Sequence, residues 1–440
     1  MSSWLFKAFS IPLENASSIA IQTEEEILSY ETLSILVDKK ALELQKQGIF
    51  TGSRVAFVAN SNLSCIITIL SLFLLKATPC PLSFRLPKEA LPSLLEKARI
   101  SFFIDIKSSY LQKLPSQDSL PPAILLYTSG SSGHPKLVSL DFSHFMESAL
   151  GSAPFLDLNL GTWLLSVPLF HVSGLSILFR CLTTTSTILL APFFSPLSSL
   201  ASHLSLVPTQ LQRLLENTQH FPSLRCLLLG GAPISEALLQ KAILKKLPVR
   251  TTYGLTETAS QVTMSLPSDS LSPLHLGKPL PGRELMIDET GEILVRGKTL
   301  FSGYDLGSKP VLPLTQAGWF STGDLGALTK EGHLLYKGRK DNLFISGGEN
   351  IHPEEIEKVL NTIPDIIASV VIPIDDLEYG KRPVAFLHTN SSLPSKEALQ
   401  EALSLKLPKF CIPIHFFPFP EDLKQDLKIQ RKKFQVPFLY

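Results

Sequence analysis

The chain has no surplus of either charge and no pattern of paired cysteines. Its 440 residues include 40 lysines and arginines and 39 aspartates and glutamates, which leaves a formal net charge of +1. A balance this close argues against a protein built to hold a nucleic-acid backbone. The 5 cysteines form neither a CxxC pair nor a metal-ligand spacing, and an odd, scattered set is typical of reduced thiols. We therefore expect a cytoplasmic protein that has no nucleic-acid partner.

Long hydrophobic runs are also absent. The most apolar segment, from Ser64 to Leu75, has 12 residues and is followed by Lys76. A membrane-spanning helix needs about 20 apolar residues, so we expect a buried helix and no stable membrane insertion. The first residues, MSSWLFKAFSIPLENAS, lack the basic start, the sustained apolar stretch and the small-residue cleavage site of a signal peptide.

The length and the residue composition favour a folded protein of several domains. A single hydrophobic core rarely grows beyond roughly 250–300 residues, so a chain of this length is expected to contain two or more domains. Hydrophobic residues make up 44% of the chain and charged residues 18%, which excludes a disordered chain.

Helix and strand patterns alternate through the first two-thirds of the chain. Residues 30–47 carry leucines at helical spacing and are followed by Gly48, a plausible helix stop. Residues 54–59, RVAFVA, predict a short buried strand, and the apolar helix at 64–75 follows it. This alternation favours an α/β architecture with mostly parallel sheets.

The pattern changes after about residue 340, within a segment rich in glycine and charge. Pro353 stands where a first helical turn would begin, and apolar residues follow it at helical spacing. Two strand-like runs at 368–374 and 383–388 precede a further predicted helix. We therefore expect a large N-terminal domain of several subdomains over 1–340. A small, mobile α+β C-terminal domain is expected over 341–440.

A loop of small polar residues follows the strand-like run at 123–127. Small residues let backbone N–H groups approach phosphate oxygens, hydroxyl groups add donors, and a lysine adds positive charge. The spacing is not GxxxxGK[ST], and the chain contains no GxGxxG or GxSxG. The residues alone leave two interpretations open, a phosphate-binding loop and a plain polar connection between strands. The loop residues with these properties are Thr128, Ser129, Gly130, Ser131, Ser132, Gly133 and Lys136.

The segment YTSGSSGHPK resembles the phosphate-binding signature of the adenylate-forming enzymes. This family contains acyl-CoA synthetases, peptide-synthetase adenylation domains and luciferases. Further matching segments occur in the order that the family has, and the resemblance covers nearly the whole chain. They are PLFHVSG at 168–174, LLGGAPIS at 228–235, TYGLTETAS at 252–260, STGDLG at 321–326 and GRKDNLFISGGENIHPEEIE at 338–357.

The resemblance implies a site for ATP and Mg²⁺. In the family, the glycine-rich loop binds the leaving pyrophosphate. A Thr-Glu pair lies at the phosphates and holds Mg²⁺. A flat glycine-rich wall and a tyrosine enclose the adenine. An aspartate and an arginine meet the ribose. The matching residues here are the loop residues named above, with Thr256 and Glu257 for the phosphates and Mg²⁺, Gly230, Gly231, Ala232, Pro233, Tyr253 and Gly254 for the adenine, and Asp324 and Arg339 for the ribose.

The resemblance also implies a second reaction step, in which the thiol of the co-substrate CoA attacks the acyl adenylate after the C-terminal domain has rotated. Asp341 matches the family's hinge position. The segment that faces the pantetheine tunnel in the family matches Ser346, Gly347, Gly348 and Glu349.

A catalytic lysine near the C-terminus completes the family pattern. Lys428 is the best match because IQRKKF follows it, and Lys424 is a nearby rival. Two positions depart from the pattern: Leu427 replaces the glycine that usually precedes this lysine, and Leu137 replaces a glycine that often follows Pro-Lys. Neither departure removes a charged group.

Three local segments resemble one branch of the family, the o-succinylbenzoate–CoA ligases of menaquinone biosynthesis. The segments are PLFHVSGLS, SLVPTQL and ISGGENI. The resemblance implies that His171 lines the acyl site as a substrate-binding and catalytic residue, and that Arg180 and Ser205 meet the second carboxylate of the acid. A buried carboxylate needs a cation or hydrogen bonds, which gives Arg180 a physical reason to be there.

Several alternatives stay open at this point. His171 is also consistent with a satisfied core histidine, and Arg180 with a charge that extends to water from the end of an apolar helix. The activated acid could be another aryl or medium-chain acid, or the acyl group could be loaded onto a carrier protein. A non-catalytic nucleotide-binding relative is the remaining class.

Overall fold

The structure is a computed structural model that describes most of the chain. The described residues are 4–86, 88–106, 110–114, 124–128, 135–158, 161–269, 274–306, 310–390, 392–423 and 431–436. Within them the helices are α1 (Trp4–Ala8), α2 (Tyr30–Lys46), α3 (Leu63–Leu74), α4 (Leu91–Lys97), α5 (Phe142–Ser152), α6 (Val172–Thr183), α7 (Pro208–Glu216), α8 (Glu236–Leu244), α9 (Pro353–Leu360) and α10 (Lys396–Ser404).

Strands occur along the whole of the described chain. They are β1 (Ile19–Thr23), β2 (Ile27–Ser29), β3 (Arg54–Ala59), β4 (Thr78–Ser83), β5 (Phe102–Asp105), β6 (Tyr110–Lys113), β7 (Ile124–Thr128), β8 (Lys136–Leu140), β9 (Thr162–Leu164), β10 (Thr187–Leu190), β11 (His203–Leu206), β12 (Cys226–Leu229), β13 (Val249–Leu255), β14 (Ser260–Met264), β15 (Lys278–Pro279), β16 (Arg283–Ile287), β17 (Glu292–Gly297), β18 (Gly303–Tyr304), β19 (Phe320–Leu328), β20 (Leu334–Arg339), β21 (Phe344–Ser346), β22 (Glu349–Ile351), β23 (Ile366–Asp376), β24 (Gly380–Thr389) and β25 (Phe416–Pro418).

The largest sheet in the described part of the chain has the strand order β15-β14-β13-β12-β11-β9-β10-β1-β2. Its neighbouring strands from β13 to β1 run parallel, and β14, β15 and β2 add antiparallel edges. All four residues of β12, CLLL, are buried, as expected for a parallel strand covered on both faces. The carboxyl ends of β11, β12 and β13 therefore meet at one edge, where ligands bind in open α/β sheets.

A second sheet, with the order β4-β3-β5-β6, has a parallel centre and packs against α3, which in turn packs against α2. Helix α2 ends before Gly48, whose φ of 92° glycine adopts without steric cost. Helix α3 begins at an Asn62 cap, whose side chain accepts a hydrogen bond from the Cys65 backbone N–H at 2.9 Å. The prediction of a buried apolar helix in this segment is confirmed. In the part of the chain that the structure describes, no helix is both long and apolar enough to cross a membrane.

The remaining sheets are mostly antiparallel. The antiparallel sheets β16-β17-β19-β20 and β18-β8-β7 lie in the larger, N-terminal part. The smaller, C-terminal part has α9, α10, the antiparallel pair β21-β22 and the mixed sheet β23-β24-β25, in which β24 runs antiparallel to β23 and parallel to β25. Each part has its own hydrophobic cluster, because Ile356, Leu360, Val371 and Leu399 pack together separately from the N-terminal core. The predicted α/β class, with a large N-terminal and a small C-terminal domain, is confirmed. The boundary at 340/341 and the mobility of the small domain stay predictions.

A buried ion pair joins two of the N-terminal sheets. Arg54, the first residue of β3, lies 2.5 Å (Nη2 to Oδ2) from Asp305, which directly follows β18. The two side chains are only 4% and 0% exposed. Arg54 Nη1 also donates to the Ala98 carbonyl at 2.7 Å, and the Asp305 N–H donates to the Leu137 carbonyl at 2.8 Å. The pair thus ties β18-β8-β7, which carries functional candidates, to the neighbouring parallel sheet.

We expect Asp305→Leu to destabilise the protein by about 3–5 kcal/mol, because the Arg54 guanidinium stays buried without its charged partner. The double substitution Arg54→Met with Asp305→Leu should cost less than the sum of the two single changes. Urea unfolding followed by tryptophan fluorescence measures all three variants. Glu284→Gln, in an exposed pair with Arg296, is the control that leaves the midpoint unchanged. If the loss of unfolding free energy in the double variant equalled the sum of the two single losses, the two residues would not be coupled, contrary to the prediction.

Candidate active site

A buried carboxylate brings three separate sequence segments together. Asp324 of β19 and Arg339 of β20 face each other in the register of that antiparallel pair. Arg339 Nη1 donates to Asp324 Oδ1 at 2.9 Å, and the Tyr253 hydroxyl donates to Asp324 Oδ2 at 2.7 Å. Asp324 is 3% exposed. Burial and, next, the Asp324 carboxylate raise the pKa of Tyr253, so its hydroxyl stays protonated and remains a donor.

This cluster contains the predicted ribose pair and the predicted adenine tyrosine. The half-buried Arg339 and the buried Asp324 occupy adjacent strands, and Tyr253 reaches them from β13. A carboxylate has about four acceptor sites on its two oxygens, which is the chemistry that a pair of ribose hydroxyls requires. The structure therefore brings together residues that are 71 and 86 positions apart in the chain, since Asp324 and Arg339 follow Tyr253 by those numbers.

The predicted metal-binding glutamate lies in a second cluster. The Tyr304 hydroxyl donates to Glu257 Oε1 at 2.9 Å, and Lys136 Nζ lies 4.8 Å from the centre of the Tyr304 ring. Tyr304 is held there because β18 pairs with β8, with Tyr304 opposite Val138. Burial and then Glu257 raise the pKa of Tyr304, so this hydroxyl is also a permanent donor. The lysine predicted to bind phosphate and the glutamate predicted to hold Mg²⁺ thus both contact Tyr304.

Tyr304 is a functional candidate that sequence reasoning missed. Its segment, FSGYDLG, belongs to none of the motifs that carry the family resemblance, and a tyrosine after glycine has no chemical signature of its own. Its importance depends on strand pairing over more than 160 residues with β8. The Arg339 charge also acts on Tyr304 and opposes the rise of its pKa.

The backbone around Glu257 is tightly constrained. Glu257 lies in the turn between β13 and β14, and its carbonyl accepts a hydrogen bond from the Phe301 N–H at 2.8 Å. Ala259, in the same turn, has a φ of 48°. A Cβ atom on Gly254 would lie 1.7 Å from the Ser260 carbonyl oxygen, so this close approach of two strands requires glycine. Thr256 and Glu257 are half-buried in this turn, whereas Thr258 and Ala259 after them are buried.

The predicted adenine wall lies at the carboxyl ends of the parallel strands. Gly230 follows β12, and a Cβ atom there would lie 2.7 Å from the Thr252 carbonyl oxygen of β13. Gly231 has a φ of 77°, and Ala232 and Pro233 follow it. The chain therefore leaves the sheet through a flat, glycine-rich turn next to β13, which carries Tyr253.

The glycine-rich loop connects two paired strands. Thr128, the last residue of β7, faces Lys136, the first residue of β8, across an antiparallel pair. This strand–loop–strand arrangement differs from the strand–loop–helix of P-loop NTPases, in agreement with the spacing. The residues Ser129, Gly130, Ser131, Ser132 and Gly133 lie outside the described residues, as do Lys424 and Lys428.

The candidate acyl-site residues are spread along α6 and β11. His171 is exposed and directly precedes α6, so the alternative of a core histidine is wrong. Ser205 is half-buried in β11, and its carbonyl accepts a hydrogen bond from Ser166 Oγ at 2.5 Å. Arg180 follows His171 by nine residues, or roughly 13 Å along the helix axis. The structure therefore does not place His171 and Arg180 at the same end of α6.

Arg180 is a buried cation. It is 2% exposed, so the alternative of a charge that extends to water is wrong. Its Nη2 donates to Gln261 Oε1 at 2.6 Å and its Nε to Ser152 Oγ at 3.2 Å, and the guanidinium carbon lies 5.4 Å from the Trp163 ring centre. Burial and the nearby Arg283 lower the pKa of Arg180 to about 10, which still leaves it charged near neutral pH.

The partners of Arg180 are neutral. No ion pair between described residues includes Arg180. A buried cation without a carboxylate partner is costly, and a ligand carboxylate would relieve that cost. Sequence reasoning missed Gln261 and Ser152, the two side chains that accept hydrogen bonds from Arg180.

The predicted hinge and CoA-channel residues follow β20, and all of them except Ser346 are exposed. The exposed Asp341 lies 3.6 Å from Arg339 Nη2. Gly347 and Gly348, with φ angles of 57° and 88°, form the turn between β21 and β22. Ser346 before this turn is buried, and Glu349 after it is exposed. The turn is held to the C-terminal sheet by the Gly347 N–H, which donates to the Tyr379 carbonyl at 2.9 Å.

Known proteins resemble this chain over almost its full length. The family model of the AMP-binding enzymes matches residues 13–121 and 107–305. The 2-succinylbenzoate–CoA ligase of Haemophilus influenzae is 35% identical over 441 residues, which cover 97% of this chain and 96% of that protein.

Solved structures are similar over almost the full length. A variant of Escherichia coli MenE with bound OSB-AMS has a TM-score of 0.85 at 31% identity and covers 98% of this chain and 97% of that one. The Bacillus subtilis o-succinylbenzoate CoA synthetase (MenE) in complex with the acyl-adenylate intermediate OSB-AMP has a TM-score of 0.83 at 29% identity, with coverages of 95% and 94%. The chain therefore belongs to the AMP-binding enzyme family, in the branch that contains the 2-succinylbenzoate–CoA ligases.

Proposed function

We propose that this chain is an ATP-dependent acid–CoA ligase that acts on o-succinylbenzoate in menaquinone biosynthesis. Its products are o-succinylbenzoyl-CoA, AMP and pyrophosphate. The observation that carries the proposal is the whole-chain similarity to 2-succinylbenzoate–CoA ligases together with the clustering of Tyr253, Asp324 and Arg339. The similarity alone would not identify the residues of the site, and the cluster alone would not identify the acid substrate.

The first step joins two anions. A carboxylate oxygen of the acid attacks the α-phosphorus of ATP, the bond to the bridging oxygen breaks, and pyrophosphate leaves. The site must neutralise the triphosphate and hold the reactants in line. Asp324 and Arg339 hold the ribose, Tyr253 and the 230–233 turn enclose the adenine, and Lys136 with the loop 128–133 receives the pyrophosphate.

Glu257 fits a Mg²⁺ site of the kind that uses one carboxylate and substrate phosphates. The Tyr304 hydroxyl donates to Oε1 of this carboxylate, and among the described residues Oε2 has no hydrogen bond. When bound, Mg²⁺ neutralises phosphate charge. Thr256, in the same turn, lies beside the phosphates in this proposal.

The second step transfers the acyl group. The CoA thiol loses its proton, its sulfur attacks the acyl carbonyl carbon, and AMP leaves. Asp341 is proposed as the hinge between the domains 1–340 and 341–440, and the smaller domain as a lid. Ser346, Gly347, Gly348 and Glu349 are proposed to line the thiol channel, where glycines keep the passage narrow and free of side chains. Lys428 is proposed as the catalytic lysine of adenylation.

The acid carries two carboxylates, and only one reacts. Arg180 is proposed to attract the second carboxylate, directly or through water, because its guanidinium is buried and has only neutral partners among the described residues. Ser205 and His171 are proposed to line the remaining acyl surface. A fatty-acid ligase would have no use for such a cation.

A cytoplasmic location is part of the proposal. All 5 cysteines are unpaired and buried, which suits a reducing compartment. The substrates ATP and CoA are also present there.

The reaction is tested by incubating the protein with ATP, Mg²⁺, CoA and one acid at a time, with mass spectrometry of the products. We expect a CoA thioester from o-succinylbenzoate, and about 100-fold or more lower efficiency with benzoate, octanoate or acetate, because these leave the Arg180 charge unpaired. Adenylate without thioester would indicate a carrier protein as acceptor. Preferred turnover of another acid would retain the reaction and reject the acyl-site assignment.

Tyr304→Phe keeps the ring beneath Lys136 and removes the hydroxyl that orients Glu257. We expect the Mg²⁺ concentration for half-maximal adenylation to rise by about tenfold or more, since groups that orient a metal ligand typically affect metal affinity by that amount. The rate at saturating Mg²⁺ should change by less than about twofold, because the ring contact remains. ATP–pyrophosphate exchange at varied Mg²⁺ is the measurement. Tyr379→Phe is the control, and an unaltered Mg²⁺ dependence would remove Tyr304 from the site.

Arg180→Met removes the buried cation and keeps much of its volume. We expect the KM for o-succinylbenzoate to rise by about 10- to 100-fold, the equivalent of one hydrogen bond to a charged group. The KM for ATP should stay within about twofold, which also shows that the nucleotide site is intact. Steady-state kinetics with each substrate varied gives both values, and Arg225→Met, on the surface, is the control. An unchanged KM for the acid would exclude contact with Arg180.

A further inference from the structure

The proposed ribose residue Asp324 lies in a β-bulge of β19. Glu292 of β17 is paired with Leu325 of β19. The next pair in the register is Leu294 with Ser321. One residue of β17 therefore lies opposite three residues of β19, of which Asp324 is the last. A bulge bends its strand and changes the direction of the side chains that it carries. The direction of the Asp324 side chain thus depends on how the bulge is held.

Side chains from both strands hold this bulge. The Gly323 N–H donates to Glu292 Oε1 at 3.0 Å, and the Asp324 N–H donates to Thr322 Oγ1 at 3.0 Å. The Thr322 hydroxyl donates in turn to the Ile293 carbonyl at 2.7 Å. Thr322 belongs to the bulge itself, whereas Glu292 reaches it from the neighbouring strand. Glu292 therefore ties the residue before Asp324 to β17.

The second oxygen of Glu292 binds a cation. Its Oε2 accepts a hydrogen bond from Lys340 Nζ at 2.8 Å. Glu292 is 7% exposed, and a carboxylate so far removed from water requires hydrogen bonds and a cation. The hydrogen bond with Glu292, and then its charge, raise the pKa of Lys340, so the ammonium group is charged near neutral pH. Both Glu292 oxygens thus have partners within the protein.

The two partners of Glu292 are neighbours of the proposed ribose pair. Gly323 directly precedes Asp324, and Lys340 directly follows Arg339. Arg339 Nη1 donates to Asp324 Oδ1 at 2.9 Å, and the register places these two residues opposite each other in β19 and β20. One buried carboxylate on β17 therefore holds both segments that carry the ribose pair.

We propose that Glu292 is a positioning residue of the ribose site, which holds the bulge and the segment after β20 so that Asp324 meets the two ribose hydroxyls of ATP. The inference rests on the proposed function, because it needs Asp324 to bind the ribose. Glu292 acts through Gly323 and Lys340, since these two partners already use its two oxygens.

The affinity for nucleotides that lack one ribose hydroxyl separates this role from a purely structural one. We expect the unaltered protein to bind ATP about 10- to 100-fold more tightly than 2′-deoxy-ATP or 3′-deoxy-ATP, the effect of one hydrogen bond to a charged group. In Glu292→Met this preference should fall to about threefold or less, because a displaced carboxylate no longer meets the hydroxyls. Isothermal titration calorimetry with Mg²⁺, and without the acid, gives the dissociation constants.

Two further variants complete the comparison. Glu292→Gln keeps an acceptor for the Gly323 N–H and loses the ion pair with Lys340, so its preference for ATP should be intermediate. Glu289→Met changes an exposed glutamate in the turn before β17. It is the matched control and should keep the full preference for ATP.

The inference would be overturned if Glu292→Met had the same preference for ATP as the unaltered protein, or if it lost affinity for all three nucleotides by the same factor. Equal affinities for the three nucleotides in the unaltered protein would also overturn it, because Asp324 would then not bind the ribose. If Glu292→Met does not fold, as shown by its melting curve, Glu292→Gln decides the matter by the same comparison. Failure of the proposed function has a different signature, because the unaltered protein would then form no thioester from o-succinylbenzoate, whatever its nucleotide preference.

Discussion

The Asp324 carboxylate is the group on which the arrangement of the site depends. Arg339 and Tyr253 donate to its two oxygens from a neighbouring strand and from the parallel sheet, so three distant segments are fixed relative to one another. A buried carboxylate without such partners would be strongly unfavourable. The antiparallel pair β19–β20 supplies one partner by register, and the end of β13 supplies the other. The arrangement of the proposed nucleotide site is therefore a consequence of how the sheets meet.

The remaining charges are distributed according to the reaction that we propose. Lys136 and Glu257 lie on either side of Tyr304, so a cation for phosphate and a carboxylate for Mg²⁺ are close without neutralising each other in a direct ion pair. Arg180 is buried between neutral partners and so retains its charge for a ligand. Arg54, in contrast, has a buried carboxylate partner, which suits a residue that holds structure. An anionic substrate thus meets available cations inside a chain of nearly zero net charge.

Much of the fold and part of the site could be predicted from local patterns. Helix α2 and the buried helix α3 follow from the spacing and length of apolar runs, and the alternation of patterns indicated the α/β class. The pairing of Asp324 with Arg339 was implied only by the family resemblance, since neither residue has a distinctive neighbourhood. A core position for His171 and a solvent-exposed charge for Arg180 were both wrong, because the burial of a residue at a helix end depends on what packs against it. Tyr304, Gln261 and Glu292 escaped prediction because their partners are remote in sequence.

The sequence by itself determined which segments are helix or strand and which family the motifs indicate. It also determined which residues are chemically able to bind phosphate, ribose or a second carboxylate. These properties are local, because backbone propensity and side-chain chemistry belong to a residue and its near neighbours. Only the tertiary structure decided which charges are paired and which remain available, as the contrast between Arg54 and Arg180 shows. Pairing depends on burial and on distances across strands, and residues far apart in the chain set both.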